Sequence, residues 1–192
     1  MLTVACLLVP AYAAAQTFGV AESAETIDRG TFKLRLSPIA IFGKNGEDSR
    51  FGLGALIGYG LTSQLDIEGG VAVFDGVTIA GANAEIWLVR NAPMDVSIIG
   101  GLHRRMGDQT RDLTGANLTF LASSDVERLE VFAAVDLAFL GLGNDSNFRT
   151  VHFVPGIEYR VRQDLDLVAG LGIALNDHAR HYFTAGLAFY WR

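Results

Sequence analysis

The stretch from Tyr182 to Trp191 constrains the fold of this chain more than any other part of its sequence. Its apolar side chains fall at every second position: Phe183, Ala185, Leu187, Phe189 and Trp191. A period of two predicts a β-strand with unlike faces rather than a helix. A last strand leaves a row of backbone groups unpaired unless it closes onto another strand, and its natural partner is the first strand of the same sheet. The sequence therefore predicts a closed barrel.

The same alternation recurs along the chain and predicts about ten strands. They cover residues 31–42, 51–61, 64–74, 77–89, 95–105, 115–122, 127–140, 149–161, 164–175 and 180–191. Eight or twelve strands stay possible, because 77–89 and 115–122 have the weakest periodicity. Connections on one side are short, including a turn at 123–126, whereas four of the five on the other side are longer, as in transmembrane barrels. In the first strand Ile39 and Ile41 fall out of phase across Pro38, which predicts a bulge there.

The aromatic, alternating C-terminal strand resembles that of bacterial outer-membrane β-barrel proteins. The chain is similar in architecture to the small barrels of the OmpA and OmpW type. The resemblance implies an all-β, closed, antiparallel, up-and-down transmembrane barrel in the outer membrane of a Gram-negative cell. It also implies contacts with outer-membrane lipid, lipopolysaccharide, the barrel-insertion machinery and periplasmic chaperones. Arg192 departs from the family pattern, because the last residue of these proteins is usually the aromatic one.

The chain is predicted to have three segments. Residues 1–15 are a short apolar run that ends in three alanines, which is the pattern of a signal peptide cleaved before Gln16. Residues 16–30 have no clean period, and we expect a periplasmic lead-in that folds under the floor of the barrel. Residues 31–192 form the barrel as one domain. Removal of the signal peptide also removes Cys6, the only cysteine, which suits an oxidising compartment.

Charge and hydrophobicity indicate what the chain contacts. It has 15 Lys and Arg against 21 Asp and Glu, a net charge of -6, which argues against a nucleic-acid partner because no basic face can neutralise phosphates. Half of its residues are hydrophobic and only 19% are charged. A soluble barrel of this size normally carries many more charged residues on its outside. The composition therefore favours an exterior that faces lipid.

The two faces of the predicted strands differ in chemistry. One carries Leu, Ile, Val and Phe, whereas the other carries Gly and Ala with scattered charges. Strand faces of Gly and Ala are poor surfaces for water, but a narrow bore requires small residues and paired charges. We therefore expect the apolar face to contact lipid, with Leu171 outside and Gly172 inside. On this basis Leu171→Arg is predicted to cost far more stability than Gly172→Ser.

Twelve side chains are predicted to line the lumen: Lys33, Arg35, Asp66, Glu68, Glu85, Arg105, Glu130, Asp136, His152, Glu158, Arg160 and Arg162. They form either a charged constriction that selects solutes or ion pairs that fill a narrow barrel. The predicted function is correspondingly a narrow, charge-lined solute channel or a structural or surface-interaction role. Near one predicted rim, His103, Arg104 and Arg105 would bind lipopolysaccharide phosphates if their side chains converged, and are otherwise solvated surface residues.

Catalytic motifs are weak in this sequence. The His-x-Ser pair of outer-membrane lipid deacylases is missing, since Arg105, Val154, Arg180 and Phe183 follow the four histidines at that spacing. Asp177 and His178 stand in a predicted outer loop, as in outer-membrane proteases, but adjacent residues of an extended chain point apart. We therefore predict no enzyme, no cofactor and no metal. A small outer-membrane hydrolase acting on lipid or peptide and a soluble periplasmic barrel binding an apolar ligand are the alternatives.

Overall fold

The computed structural model describes residues 19–20, 22–44, 46, 48–90, 93–107, 112–142 and 148–192. Within them, ten strands form one closed sheet: β1 (Phe32–Ile41), β2 (Arg50–Gly60), β3 (Leu65–Phe74), β4 (Val77–Val89), β5 (Asp95–Met106), β6 (Leu113–Val126), β7 (Leu129–Leu140), β8 (Phe148–Arg162), β9 (Leu165–Ala174) and β10 (Tyr182–Trp191). Every strand pairs antiparallel with its sequence neighbours, and β1 pairs with β10. The predicted ten-stranded up-and-down barrel is confirmed. The described residues include no helix that is long and apolar enough to cross a membrane.

The seam between β1 and β10 joins the two ends of the barrel. Phe32 lies opposite Trp191 in this pairing, and Ile41 lies opposite Tyr182. The rings of Phe32 and Trp191 stack on the outer surface with centroids 5.7 Å apart. Arg192 donates a hydrogen bond from Nε to Thr31 Oγ1 at 3.2 Å. The final strand therefore closes the barrel, and the residue after it also contacts Thr31, which directly precedes β1.

The apolar face of every strand points outward. Along β9, Leu167 and Leu171 are 46% and 41% exposed, whereas Asp166 and Val168, on either side of Leu167, are buried. The same alternation places large exposed apolar side chains on all ten strands. An apolar outer band around a bore with polar side chains is the arrangement of a barrel that faces lipid. The prediction that the apolar side chains of the strands point outward is therefore confirmed.

Two local predictions were wrong. The turn expected at 123–126 lies at Glu127 and Arg128, because β6 continues to Val126. Pro38 does not create a bulge, since β1 keeps a constant register with both β2 and β10. Ile39 and Ile41 point into the bore and are buried. The apolar phase of β1 therefore changes because the bore-facing residues change from charged to apolar along the strand, and the strand itself is not interrupted.

The bore contains a buried apolar cluster as well as charges. Its wall residues include Ile39, Ile41, Leu56, Phe74, Ile79, Ile99, Leu121, Phe132, Val154 and Tyr182. Val20 and Ala24, which precede β1 in the chain, belong to the same cluster. We call the end of the barrel at the connections 61–64, 127–128 and 163–164 the turn end, and the opposite end the loop end. The segment before β1 thus lies inside the barrel.

Candidate functional site

The segment 19–28, described except for residue 21, runs inside the bore, and we call it the plug segment. The sequence led us to expect residues 16–30 under the floor of the barrel, but residues 19–20 and 22–27 lie within it, and Asp28 and Arg29 are exposed at the turn end. Val20 is 9% exposed, Ala24 0% and Ile27 5%. The segment has no apolar period because the wall surrounds it. Its burial is therefore not confined to one face. The plug segment fills space that a ten-stranded wall leaves open.

Side chains of four wall strands accept hydrogen bonds from the plug backbone. Val20 N–H donates to Tyr182 Oη at 3.0 Å, and Ser23 N–H donates to Glu158 Oε2 at 3.3 Å. Ala24 N–H donates to Ser123 Oγ at 3.0 Å, and Ile27 N–H donates to Asp66 Oδ2 at 2.7 Å. An extended segment inside a barrel has no neighbouring strand to satisfy its N–H groups, and leaving them buried and unpaired is costly. The acceptors on β10, β8, β6 and β3 therefore hold the segment from all around the bore.

Glu22 anchors the plug segment electrostatically. Its Oε2 lies 3.0 Å from Lys33 Nζ and 3.1 Å from Arg35 Nη1, and Lys33 Nζ also lies 3.0 Å from Glu68 Oε1. All four side chains are buried. Burial alone would raise the pKa of Glu22, but the positive charges of Lys33 and then Arg35 outweigh it and lower that pKa to about 2. Glu22 is therefore ionised at physiological pH and forms ion pairs with two wall cations.

Glycines in the wall leave room for the plug segment. A Cβ on Gly58 would stand 2.5 Å from Ile27 Cδ1, and one on Gly170 would stand 2.6 Å from Val20 O. A Cβ on Gly60 would collide with the backbone of Ile27 and Asp28. Glycine in a strand interior weakens the strand, and it marks places where another backbone approaches closely. The wall is therefore shaped around the plug segment at three separate points.

The plug segment turns into β1 at the turn end. Gly30 has φ 78°, which a side chain would strain, and Thr31 N–H donates to Asp28 O at 2.9 Å. Gly30 N–H donates to Gly60 O at 2.9 Å, which ties the connection to β2. The guanidinium of Arg192 lies 3.5 Å from Asp28 Oδ2. A tight and anchored turn therefore aims the segment back into the barrel.

Ten of the twelve predicted lumen residues are buried in the barrel: Lys33, Arg35, Asp66, Glu68, Glu85, Arg105, Glu130, Asp136, His152 and Glu158. The other two, Arg160 and Arg162, lie instead at the turn-end rim with side chains 61% and 62% exposed. Arg160 Nε lies 4.0 Å from Asp166 Oδ1, and Arg162 Nε lies 3.2 Å from Asp164 Oδ1. Alternation along β8 gives the face of a side chain but not its depth, and the register shifts between these two arginines.

A hydrogen-bonded group surrounds His152 in the bore. Thr119 Oγ1 donates to Asp136 Oδ1 at 2.7 Å, and His152 Nδ1 lies 3.9 Å from Asp136 Oδ2. His152 Nε2 lies 3.0 Å from Arg180 O, and the imidazole meets the Tyr182 ring edge-on with centroids 5.3 Å apart. These contacts orient Tyr182, whose hydroxyl accepts from Val20 N–H. The group thus supports the inner end of the plug segment.

The candidate cationic cluster at 103–105 is divided between two faces. His103 and Arg105 point into the bore and are buried, whereas Arg104 points outward, with its Nη2 2.9 Å from Asp112 Oδ2. Alternation in β5 separates them, so the three side chains do not converge on one ligand. Within the described ranges, no group of three or more His, Cys, Asp or Glu side chains is placed to hold a metal ion.

The bore is closed at its middle. A void of about 20 Å³ remains there, lined among others by Val20, Glu22, Arg35 and Asn117. That volume holds one water molecule at most. A cavity of about 580 Å³ opens at the turn end, between the plug segment and the last strands. In the described part of the chain, the plug segment and the wall side chains around it fill the bore at this depth.

Neither a protein-family model nor a characterised protein sequence matches the chain. Solved structures do match it. The KdgM porin aligns at 9% identity over 83% of this chain and 99% of the porin, with a TM-score of 0.54. An outer-membrane channel from Pseudomonas putida F1 aligns at 10% identity over 88% of this chain and 98% of that channel, with a TM-score of 0.55. The chain has the fold of outer-membrane β-barrels, and identities this low speak for the fold alone.

Proposed function

We propose that the chain is an outer-membrane β-barrel that forms a narrow, charge-lined solute channel, and that the plug segment closes it. The observation that carries this proposal is the close noncovalent packing of the plug segment against the wall at Gly58, Gly60 and Gly170. A barrel with a purely structural role can fill its bore with wall side chains. Here small wall residues leave a passage, and a separable piece of chain occupies it.

Release of the plug segment would leave a wall with more acids than bases. The buried acids of the barrel are Asp66, Glu68, Glu85, Asp95, Glu130, Asp136, Glu158 and Asp166. The buried Lys and Arg side chains are Lys33, Arg35, Arg105 and Arg180. Eight acids against four bases concentrate cations in a narrow polar passage. We therefore expect the open channel to favour small cations over anions.

A closed barrel with a structural or surface-interaction role is the second candidate. The void of about 20 Å³ beside Glu22 favours it, because a bore closed this tightly conducts nothing while the plug segment stays in place. The two candidates differ in one property, which is whether residues 19–28 leave the bore while the barrel stays folded.

A reversible disulfide tests this property. Ala24 N and Ser123 Oγ lie 3.0 Å apart, so residues 24 and 123 are direct neighbours and the pair to choose for a disulfide between plug segment and wall. We would replace both by cysteine in a Cys6→Ser background and record conductance in planar bilayers. We expect brief openings in the reduced protein, silence after oxidation, and recovery with a reductant. A single Ser123→Cys variant is the matched control and should ignore the oxidant.

A variant that lacks residues 22–28 completes the test. Sustained, cation-selective conductance from this folded barrel would support the channel, whereas silence would favour the structural role. Conductance that persists after oxidation of the double-cysteine variant would show that another part of the chain is the gate.

The proposed location implies the other partners of the chain. A barrel with this apolar outer band would contact outer-membrane lipid and lipopolysaccharide, and it would reach the membrane through periplasmic chaperones and the insertion machinery. Fractionation should find the protein in the outer membrane, and unboiled protein should migrate differently from boiled protein on a detergent gel. Recovery in the soluble periplasmic fraction would refute this location.

A further inference from the structure

Two strands of the wall contain a proline in their interior. Pro38 lies in β1 and Pro155 lies in β8. Because β1 borders β10 and β8 borders β9, the two prolines lie on opposite sides of the hairpin that β9 and β10 form. The β1–β10 pairing skips Ser37 and Pro38, and the β8–β9 pairing skips Val154 and Pro155. The hairpin is therefore interrupted along both of its borders.

Pro38 points at this hairpin and not at β2. Phe42 N–H donates to His181 O at 2.9 Å, and hydrogen-bonded pairs recur at every second residue of an antiparallel ladder. The register of β1 with β10 is the same before and after the skipped residues, so Pro38 faces Ala185 in such a pair. A proline has no N–H, and the Ala185 carbonyl therefore receives no ladder bond from this position.

The same argument applies to β8. Leu175 N–H donates to Val151 O at 2.9 Å, so that Pro155, four residues after Val151, faces Leu171 in a hydrogen-bonded pair. Each proline thus removes one ladder hydrogen bond from a border of the same hairpin. In the middle of a sheet such a loss is unusual, since proline is normally confined to edges and bulges.

The two lost bonds lie at nearly the same depth. Leu171 is opposite Phe183 in the β9–β10 pairing, and Ala185 follows two residues later in β10. The residues next to these positions are Gly172 and Gly186, and glycine inside a strand weakens it further. We call residues 168–172 and 182–186, which pair with each other, the hairpin centre. The β6–β7 hairpin differs, because its ladders with β5 and β8 are continuous.

Both ends of the β9–β10 hairpin are held by side chains. At the loop end, Asn176 Nδ2 donates to Arg149 O at 3.0 Å. At the turn end, Arg192 Nε donates to Thr31 Oγ1 at 3.2 Å. The weakly joined part of the hairpin therefore lies between two anchored ends.

The hairpin centre is also the part of the wall that holds the inner end of the plug segment. Tyr182 Oη accepts the hydrogen bond from Val20 N–H, and Gly170 lies against Val20 O. A Cβ on Gly19 would stand 3.2 Å from Tyr182 Cε2 and 3.4 Å from Thr184 Cγ2. Movement of the hairpin centre would therefore remove several contacts of the plug segment at once.

We propose that the hairpin centre moves outward as a unit and that this motion releases the inner end of the plug segment. The inference rests on the proposed gating and names the part of the wall that moves. Outward movement breaks fewer ladder bonds here than at a hairpin with complete borders, because one bond is already missing on each side. It leaves the pairing of β9 with β10 intact, which is continuous from residue 182 to residue 189.

Amide hydrogen exchange tests the proposal on the folded full-length protein in detergent micelles. After correction for intrinsic rates, we expect the hairpin centre to exchange about tenfold faster than residues 118–122 and 133–137, which form the corresponding part of the β6–β7 hairpin. Combining Pro38→Ala with Pro155→Ala supplies both missing donors. This double variant should slow exchange of the hairpin centre about tenfold and slow the Val20 amide by a similar factor.

Pro93→Ala is the matched control, because it makes the same substitution in the connection between β4 and β5. It should leave exchange of the hairpin centre unchanged, and equal slowing by Pro93→Ala and the double variant would overturn the proposal. Slower exchange of the hairpin centre without slower exchange at Val20 would also overturn it, because the plug segment would then not follow the wall.

The wild-type comparison decides the question if the double variant does not fold. A hairpin centre that exchanges as slowly as residues 118–122 and 133–137 would refute the proposed motion. Exchange is measured on the closed barrel and requires no current. A protein that stays silent in bilayers while its hairpin centre exchanges rapidly would therefore refute the channel and leave the motion of the hairpin in place.

Discussion

Gly170 in β9 lies directly against Val20 in the plug segment, so that a Cβ at position 170 would stand 2.6 Å from Val20 O. The next atoms around that point belong to Val154 and Phe132, at 3.4 and 3.7 Å. The wall therefore has no free volume into which an added methyl group could shift. Wall and plug segment are fitted to each other at this position.

This contact predicts that Gly170→Ala displaces the plug segment while the barrel stays intact. The methyl group would collide with a backbone oxygen, which has far less freedom to move than a side-chain tip. We expect faster proteolysis within residues 19–28 and more frequent openings in bilayers, with unchanged migration of the unboiled protein. Gly54→Ala is the matched control, because its Cβ would meet Ile39 Cδ1 at an ordinary 3.4 Å. Wild-type protease resistance in Gly170→Ala would mean that the segment yields locally instead of leaving.

The anchoring of Glu22 gives a prediction about charge. Glu22→Gln removes one partner of a buried ion pair, and we expect it to weaken plug docking by about 3 kcal/mol, since Lys33 retains Glu68. Hydrogen exchange at the Ser23 amide should report this change. Glu25→Gln is a control in the same segment, and it should not weaken docking, because burial and then acidic neighbours raise the pKa of Glu25. Equal effects of the two substitutions would contradict a specific role for Glu22.

The same ion pair sets a pH window. The pKa of Glu22 is lowered from 4.5 to about 2 in the folded state, so its contribution to docking is complete above pH 4.5 and is lost as the pH falls towards about 2. In an NMR titration, Glu22 should therefore contribute no change to the chemical shift of the Ser23 amide between pH 8 and pH 5. Glu22→Gln should abolish the acidic transition. A midpoint near 4.5 in the wild type would show that Lys33 and Arg35 do not hold the carboxylate.

The outer face predicts how the protein responds to a charge at Leu171. Leu171→Arg should destabilise the folded barrel in a bilayer by about 2 to 4 kcal/mol if the side chain contacts lipid. On a water-exposed surface the same change would stay within about 0.5 kcal/mol. Urea titrations of protein folded into lipid vesicles measure the difference. A negligible cost would favour the soluble-barrel alternative.

Gly172→Ser is not the mild companion change that the sequence suggested. Gly172 does face the bore, but a Cβ there would overlap the ring of Tyr182. Since Tyr182 accepts the hydrogen bond from Val20, we expect Gly172→Ser to destabilise both the wall and the plug segment. Gly54→Ala is the better control for Leu171→Arg, and it should change stability by less than about 1 kcal/mol. Tolerance of Gly172→Ser would indicate that the Tyr182 ring moves freely.

Processing of the chain can be measured directly. Export is predicted to remove residues 1–15, which lie outside the described residues, because three alanines precede Gln16. Mass spectrometry of protein extracted from membranes should then find an N-terminus at or near Gln16. Recovery of intact Met1 would rule out a cleaved signal peptide.

Most of the fold could be predicted from the alternation of apolar and polar residues along the strands. It places the ten strands within a few residues of their observed ends and assigns Leu171 and Asp166 to opposite faces, because side-chain direction in a strand follows from position alone. Depth and register do not follow from position. The prediction therefore placed Arg160 and Arg162 in the interior of the lumen, whereas both lie at the rim. Alternation distinguishes only the two faces of a strand and does not give the depth of a residue in the barrel.

The plug segment escaped sequence reasoning for a different reason. Burial of a single irregular segment among walls on all sides produces no period, and Glu22 and Glu25 make residues 16–30 resemble a polar lead-in. The informative signal lay elsewhere, in Gly58, Gly60 and Gly170 on the inward face of otherwise regular strands. Such glycines mark a close backbone neighbour, but a sequence does not say which segment that neighbour is.

The turn at Gly30 ties the plug segment to the wall that it contacts. A segment tethered so closely to its site experiences an effective concentration in the millimolar range or above, whatever the amount of protein in the membrane. Its intrinsic affinity for the bore can therefore be weak, and closure can still be the prevailing state with rapid reopening. A synthetic peptide of residues 19–28 lacks the tether. It would have to reach millimolar concentrations to close a barrel from which residues 22–28 have been deleted.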